Sequence, residues 1–298
     1  MVKFVTFAWI FWSKNNGFDI NVNTNEKTNA ASRYPDGSSW QSLAGYVNGE
    51  YKAKPNFTLM SGLRYNHVWV NAVFDDTFYD FPFEKADLST GALTGSLGFS
   101  WFPRANLQVT LNGSTGFRAP NIDDVGKIFD SEPGSVVVPN PDLEPEYAYN
   151  AEIGFQRNIN DKIILKGAAY YTYLVDALVR RDFSYNGISE IMYGGELSNV
   201  QAIQNAAKAY VYGFEFGLEA YLSEQWSLSS NLTLTEGVEE EDDGTETAAR
   251  HAAPTFSDFH IVWKNQRIST DLFVNYNGEV AYDDLAMSEQ EKDYIYAI

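Results

Sequence analysis

The sequence has 298 residues, a net charge of −19 and no cysteine, and 44% of it is hydrophobic and 15% aromatic. This composition suits a large folded unit and argues against a disordered chain. The acidic balance argues against a nucleic-acid partner, because a phosphate backbone requires a basic surface, and the absence of cysteine excludes disulfides and thiolate metal sites. No apolar run approaches the ~18 residues that a membrane-spanning helix requires.

The chain begins with its one long apolar run, MVKFVTFAWIFW. A secretory signal peptide is one interpretation, with Lys3 as its charged region, but no small-residue cleavage pattern follows in SKNNGFDIN. We therefore predict a strand here, and the signal peptide stays as the alternative.

The rest of the chain alternates between apolar and polar residues. Between Tyr147 and Gln156, for example, apolar side chains occupy one parity, and small or polar ones occupy the other. Such alternation indicates strands, and a tilted strand needs about 9 to 11 residues to cross a bilayer. We predict strands at 40–51, 57–70, 88–102, 106–117, 146–157, 161–176, 207–222, 226–237, 255–264 and 267–280.

The alternation also predicts two faces for this sheet. The predicted outward residues are Leu107, Leu111, Ile153, Phe155, Phe214, Leu218, Leu232 and Leu272. The predicted concave residues are Asn112, Asn150, Glu152, Glu215, Glu219 and Asn231. Tyr171, Tyr173, Tyr210 and Tyr212 are placed towards the outer ends of their strands, as an aromatic girdle requires.

The connections between these segments alternate between short and long. KAKPN, PRAN, NIN, SEQ and NQ are short, whereas long joins occupy residues 118–145, 177–206 and 238–254. We therefore expect the four turns at 52–56, 104–106, 158–161 and 223–225 at one end of the sheet. Outer-membrane barrels have short periplasmic turns and long extracellular loops, whereas a sandwich has no reason to alternate its joins strictly.

Three stretches of the sequence are similar to a known family. GSTGFRAPNIDDV, VVVPNPDLEPEYAYNAEIGFQ and YVYGFEFGLEAYLSEQWSLSSNLTLTEG resemble the barrel of TonB-dependent outer-membrane receptors. The resemblance extends from about Trp40 to the end of the chain. It implies an all-β fold, an antiparallel transmembrane up-and-down β-barrel with short periplasmic turns and long extracellular loops, in the bacterial outer membrane.

The resemblance also implies a function and partners. Receptors of this kind use TonB to energise uptake of a scarce ligand, such as an iron-siderophore, haem, cobalamin or a glycan. The expected partners are a small-molecule ligand, outer-membrane lipid and the TonB complex, which acts through a plug domain. A passive porin-like pore and a soluble carbohydrate-binding β-sandwich are the alternatives.

The sequence departs from a complete member of that family. No plug domain, TonB box or signal peptide is recognised, and DYIYAI at the end stops within the alternating pattern. Because plugged transporters have about 22 strands, we expect residues 1–298 to form a partial barrel without a plug. Such a chain should present an open curved sheet with unpaired edges and should not transport alone.

Five polar residues are candidates for ligand binding at the rim and in the lumen: Arg118, Asn150, Glu152, Glu215 and Glu219. Each also has a structural interpretation. Arg118 would pair with nearby carboxylates, and the two glutamates of residues 207–222 would pair with luminal lysine or arginine. Those glutamates, about 13 Å apart along one strand, are too far apart for glycoside hydrolysis. The prolines of PNPDLEPE are expected to guide the chain from an outer loop to the rim, with hydrated Asp142, Glu144 and Glu146.

Metal and catalytic sites are not indicated. The histidines, His67, His251 and His260, lack zinc-site spacing, and the acidic run 239–243 and the pair Asp283 and Asp284 lack the spacing of a calcium loop. Nucleophile, phosphate-loop and dinucleotide motifs are also absent from the sequence. We therefore predict no enzyme and no cofactor.

Overall fold

The computed structural model describes residues 2–14, 16, 18–28, 35–74, 84–126, 128–132, 134–184, 187–240, 244–249 and 255–279. Its strands are β1 (Val2–Lys14), β2 (Asp19–Ile20), β3 (Lys27–Thr28), β4 (Ser39–Lys54), β5 (Phe57–Val73), β6 (Lys85–Arg104), β7 (Leu107–Arg118), β8 (Phe129–Glu132), β9 (Ser135–Val138), β10 (Glu146–Ile159), β11 (Ile163–Asp182), β12 (Glu190–Tyr193), β13 (Glu196–Tyr221), β14 (Trp226–Glu240), β15 (Glu246–Ala248), β16 (Phe256–Lys264) and β17 (Ser269–Asn277). One short helix, α1, covers Ile122–Val125. None of the helical segments among these residues has the length and apolar character needed to cross a membrane.

Eleven long strands form one sheet in the order of the chain, β1-β4-β5-β6-β7-β10-β11-β13-β14-β16-β17. Each neighbouring pair on this path is antiparallel. The predicted antiparallel up-and-down fold is therefore confirmed. The two edges are β1 and β17, and within the described residues no hydrogen bonding joins one to the other.

The short turns all lie at one end of the sheet, which we call the turn end. Neighbouring turns are joined in series by backbone hydrogen bonds: Phe102 N to Asn56 O (2.8 Å), Asn158 N to Asn106 O (2.9 Å), Tyr221 N to Lys162 O (2.7 Å) and Lys264 N to Gln225 O (2.8 Å). The predicted topology is confirmed, and the opposite end, where the long joins lie, is called the outer end.

The two faces of the sheet follow the predicted alternation. A continuous apolar row crosses seven strands, through Leu59, Phe99, Leu111, Ile153, Ala169, Phe214 and Leu234. Of these, Leu111 is 43% exposed and Phe214 is 61% exposed, and Leu272 of the edge strand is 67% exposed. Side chains between two packed sheets would be buried, so this exposure excludes the β-sandwich for the described residues.

The long joins differ from the predicted loops. Strand β11 continues to Asp182 and β13 begins at Glu196, so most of the join predicted at 177–206 is an outward extension of the sheet. Residues 118–145 contain α1 and two short strands instead of a simple loop, and β9 pairs with β13 in parallel. The alternation of apolar and polar residues stops in these segments because their two sides no longer face two different environments.

The buried hydrophobic clusters lie at the outer end of the sheet. One cluster contains Val68 and Val70 of β5 with Val125 and Leu143. A second cluster joins Ile128 and strand β9 to β13. The hydrophobic core of the described chain is thus formed where residues 119–145 fold back onto the sheet, and these residues are called the shelf.

Candidate functional site

The shelf begins where β7 ends, and its first element is the helix α1. Asn121 caps this helix, because its side chain accepts hydrogen bonds from the backbone of Asp123 (2.6 Å) and Asp124 (3.2 Å). Asp124 returns a bond by accepting from the Asn121 backbone N–H at 2.9 Å. This reciprocal capping box satisfies the free N–H groups of a four-residue helix and turns the chain inward.

Arg118 is held by the same aspartate. Its Nη2 lies 2.6 Å from Oδ1 and 2.8 Å from Oδ2 of Asp124, which is only 8% exposed. Its Nη1 lies 3.8 Å from Glu146 on the adjacent strand β10. Pairing with nearby carboxylates, the structural interpretation of this arginine, is therefore confirmed, and the guanidinium fixes the shelf to the sheet.

The PNPDLEPE segment enters the core instead of only guiding the chain to the rim. Leu143 is 2% exposed and packs with Val68, Val70 and Val125. Asp142 and Glu144 are exposed as predicted, but Glu146 is partly buried and accepts a hydrogen bond from Leu178 N at 2.9 Å. The prediction missed this packing because one leucine between acidic residues gives no periodic signal.

Two asparagine side chains bind the shelf to β13. Asn140 Nδ2 donates to Ile203 O at 2.8 Å. Asn205 Oδ1 accepts from Glu144 N at 2.7 Å, and its Nδ2 donates to Glu144 O at 2.8 Å and to Asp176 O at 2.9 Å. Asp176 has φ of 56° and lies at a register shift in β11. Asn205 therefore ties the shelf to the point where the extension of the sheet at the outer end begins.

Below the shelf, the concave face is polar. Asn150 Nδ2 donates to Thr172 Oγ1 at 2.9 Å, and Glu152 lies between Asn112 and Tyr170 in the strand register. The Tyr170 hydroxyl reaches Thr235 at 2.9 Å. This face can therefore offer amide, hydroxyl and carboxylate groups to a polar ligand.

The two glutamates of β13 differ in their surroundings. Glu219 Oε1 accepts from Lys166 Nζ at 2.6 Å, which confirms the predicted pairing with a luminal lysine. Glu215 is exposed and has no ion pair within the described residues. It is adjacent to Ala168 and Thr233 in the register, so its carboxylate remains accessible from the concave side.

The predicted candidates therefore share a face but lie at different depths. Arg118 is at the rim beneath the shelf, Asn150 and Glu152 lie further in, and Glu219 is near the turn end. The structure places them all on the concave face, but it does not bring them together into a single binding site. Sequence reasoning missed Asp124 and Asn205, whose roles depend on a helix and a bulge that alternation does not reveal.

Described histidines and acidic residues do not form a metal site. No group of three or more metal-ligating side chains is present in the described part of the chain. His67 contacts Tyr65 and Ser89 on the outward face, and His260 Nδ1 lies 3.0 Å from Asp271 on the concave face. Residues outside the described part are 241–243 of the acidic run, His251, Asp283 and Asp284.

One charged pair lies at the outer end of β6, away from the lumen. The Lys85 Nζ is 2.5 Å from Asp87. Hydrogen bonds from Lys85 and then Asn71 lower the pKa of Asp87, and the Asp87 carboxylate raises the pKa of Lys85. Both side chains are about half exposed, so water screens this pair strongly.

Comparison with known proteins agrees with this architecture. Residues 5–295 match the family described as TonB dependent receptor-like, beta-barrel. The chain belongs to this family. Its members are receptors and transporters.

Individual members of the TonB-dependent receptor family show how much of a receptor the chain covers. A haemoglobin- and haemoglobin-haptoglobin-binding protein of Haemophilus ducreyi is 28% identical over 152 residues, which are 48% of this chain and 15% of that protein. The copper transporter OprC has 14% identity and a TM-score of 0.69 over 92% of this chain and 40% of its own. The Serratia marcescens hemophore receptor HasR, solved with HasA and haem, has 14% identity and a TM-score of 0.70 over 93% of this chain and 50% of its own. The chain thus spans half or less of the length of each of these proteins.

Proposed function

We propose that residues 1–298 are part of a receptor barrel in the bacterial outer membrane that takes up a scarce ligand with energy from TonB. This proposal rests on the positions of the short turns and on the two faces of the sheet. All the short turns lie at one end, an apolar face looks outward, and a polar face looks inward. This is the arrangement of a membrane barrel with periplasmic turns.

A plug domain and TonB are the proposed partners of this barrel. TonB acts on such receptors through a plug, so the barrel supplies the wall and the outer binding surface. Lipid is the proposed partner of the outward face, because its leucine and phenylalanine side chains are exposed to the surroundings.

Ligand binding is proposed for Asn150, Glu152 and Glu215, whose polar groups face the lumen. Glu219 and Arg118 contribute through their paired positions, at the turn end and at the rim. The shelf partly covers the outer end of this face, so a ligand reaches the lumen beside it. The named relatives point first to iron-containing ligands, among them haem, because two of them bind haemoglobin or a haem carrier.

A growth experiment tests the proposed uptake. Cells lacking this gene receive ferric siderophores, haem, cobalamin or a glycan, one at a time, as the limiting nutrient. We expect poor growth on one of these ligands, and the same defect in cells that lack TonB.

The role of the lumen in ligand binding is tested by restoring the gene with either Glu152→Gln or Glu215→Gln. The matched control is Asn275→Ala on β17. The two glutamate variants should raise the ligand concentration needed for half-maximal growth, and the control should not. Growth that requires the gene but not TonB would indicate a passive pore. Normal growth of the deletion strain on every ligand would overturn the proposed uptake.

A further inference from the structure

Charge is distributed unequally between the two ends of the sheet. The five short turns with the strand ends that flank them, taken as 52–56, 104–106, 157–162, 223–225 and 264–267, contain seven basic and two acidic residues. The segments that connect the outer ends of the strands, taken as 71–87, 118–146, 176–208 and 236–255, contain seven basic and 23 acidic residues. The turn end is therefore positive although the whole chain has a net charge of −19.

Three of the basic residues lie on the outward face. Lys54 pairs with Phe57 across the first turn, and Leu107 pairs with both Arg104 and Arg157. Partners in a ladder project from the same side of a sheet, and Phe57 and Leu107 belong to the apolar side. Lys54, Arg104 and Arg157 thus border the apolar face at the turn end, and we call them the basic rim.

The basic rim is available for an external partner. All three side chains are exposed, and none forms an ion pair with a carboxylate in the described part of the chain. By contrast, Lys85 and Lys208 at the outer end are paired with Asp87 and Glu240.

Aromatic side chains of the outward face also lie at the turn end. Trp101 is 43% exposed and pairs with Phe57, and Trp226 is 46% exposed and lies 6.5 Å from Trp263 between ring centroids. Tryptophan favours the boundary between hydrocarbon and headgroups, and long basic side chains extend from apolar surface to reach polar groups. The aromatic and basic residues therefore indicate the depth at which the lipid headgroups of one leaflet lie.

We propose that the basic rim binds the headgroups of anionic glycerophospholipids in the membrane leaflet at the turn end. This inference rests on the proposed membrane barrel. Positive residues near an anionic lipid surface each favour association, and the acidic outer end repels the same headgroups. The barrel consequently prefers a membrane whose leaflet at the turn end carries negative charge.

The test uses the full chain, refolded in detergent and reconstituted into vesicles with equal amounts of phosphatidylcholine and phosphatidylglycerol. One of the two lipids is brominated in each sample, and quenching of tryptophan fluorescence reports which lipid lies against the protein. We expect association with phosphatidylglycerol to be stronger by at least about fivefold, since each basic residue contributes about fivefold. The preference should approach one at ~1 M salt, where the screening length is about 3 Å.

The rim itself is tested with Lys54→Gln, Arg104→Gln and Arg157→Gln, singly and combined. The matched control removes three positive charges at the outer end, with Lys14→Gln, Lys85→Gln and Lys208→Gln. The combined rim variant should lose the preference, whereas the control should keep it. The salt dependence of the unsubstituted chain gives an independent readout if a rim variant fails to insert.

Three results would contradict the inference, in two different ways. Equal quenching by the two lipids at low salt, or a preference that survives the combined rim substitution, would overturn binding to the basic rim alone. Absence of quenching by either brominated lipid would overturn the proposed membrane barrel together with this inference.

Discussion

Arg118 and Asp124 join the end of a strand to the inward shelf. Replacement by Asp124→Asn keeps the size of the side chain but removes the charge that accepts two bonds from the guanidinium. We expect the shelf to lose about 1.5–3 kcal/mol of local stability, the usual range for a hydrogen bond to a charged group. Hydrogen exchange of backbone amides in residues 119–145 measures this loss.

The control for that substitution is Asp271→Asn. Asp271 is also on the concave face, where it contacts His260, but its side chain is 45% exposed and far from the shelf in the strand order. Faster exchange in the shelf of both variants would mean that the effect arises from charge alone, not from the bonds to Arg118.

Gly213 is required by the close approach of the Leu234 carbonyl oxygen and the Tyr170 hydroxyl. A Cβ at this position would lie 2.6 Å from the Tyr170 hydroxyl oxygen and still closer to the Leu234 carbonyl oxygen. We expect Gly213→Ala to destabilise the barrel by about 1–3 kcal/mol through overpacking, measured by urea unfolding in detergent micelles. Gly113→Ala on β7 is the matched control, since its nearest neighbours would be 4.0 Å away. Equal loss in both variants would contradict a role for the tyrosine contact.

Residues of the lumen were predictable only as members of a face. Alternation placed Asn150, Glu152 and Glu215 on the concave side, because successive side chains of a strand point to opposite faces of the sheet. It could not predict that Asn205 binds Glu144 and Asp176, because those bonds require a shelf and a bulge from distant parts of the chain.

At the scale of elements, one buried leucine of the shelf, Leu143, packs against β5 and α1. Leu143→Ala leaves a cavity among Val68, Val70 and Val125, and such cavities typically cost about 2–5 kcal/mol. The shelf should then be cleaved more rapidly by protease while the sheet remains folded, which gel analysis of limited digests measures. Leu97→Ala is the control, because Leu97 is 60% exposed on the outward face. Unchanged cleavage of the shelf in L143A would mean that other contacts hold it.

The elements divide into those that alternation predicts and those that it does not. Strands from β4 to β17 along the main path followed from two-residue periodicity and from the lengths of the turns. In β1, both parities are apolar, so periodicity could not assign faces; pairing of Trp9 with Ala44 places Phe7, Trp9 and Phe11 on the concave side. The helix α1 has only four residues, too few to show helical periodicity.

At the scale of the whole molecule, the sheet has two chemically different ends and two chemically different faces. The turn end carries basic residues beside tryptophans, and the outer end carries acidic joins and the buried shelf. Neither end could be assigned to a side of the membrane from one strand. The proposed assignment rests on the regular alternation of short and long joins along the chain. The hydrogen bonds between neighbouring turns show that the short turns share one end of the sheet.

This polarity predicts which positions are accessible from outside the cell. The sequence contains no cysteine, so a single introduced thiol reports one location without background. Ser189→Cys in the outer extension should react with a membrane-impermeant maleimide in intact cells. Ala105→Cys and Glu224→Cys in the short turns should react only after the outer membrane is permeabilised, because an intact bilayer separates the two ends. All three positions are exposed, so burial does not distort the comparison. Labelling of the two turn positions in intact cells would reverse the proposed orientation, and equal labelling of all three would contradict insertion across the membrane.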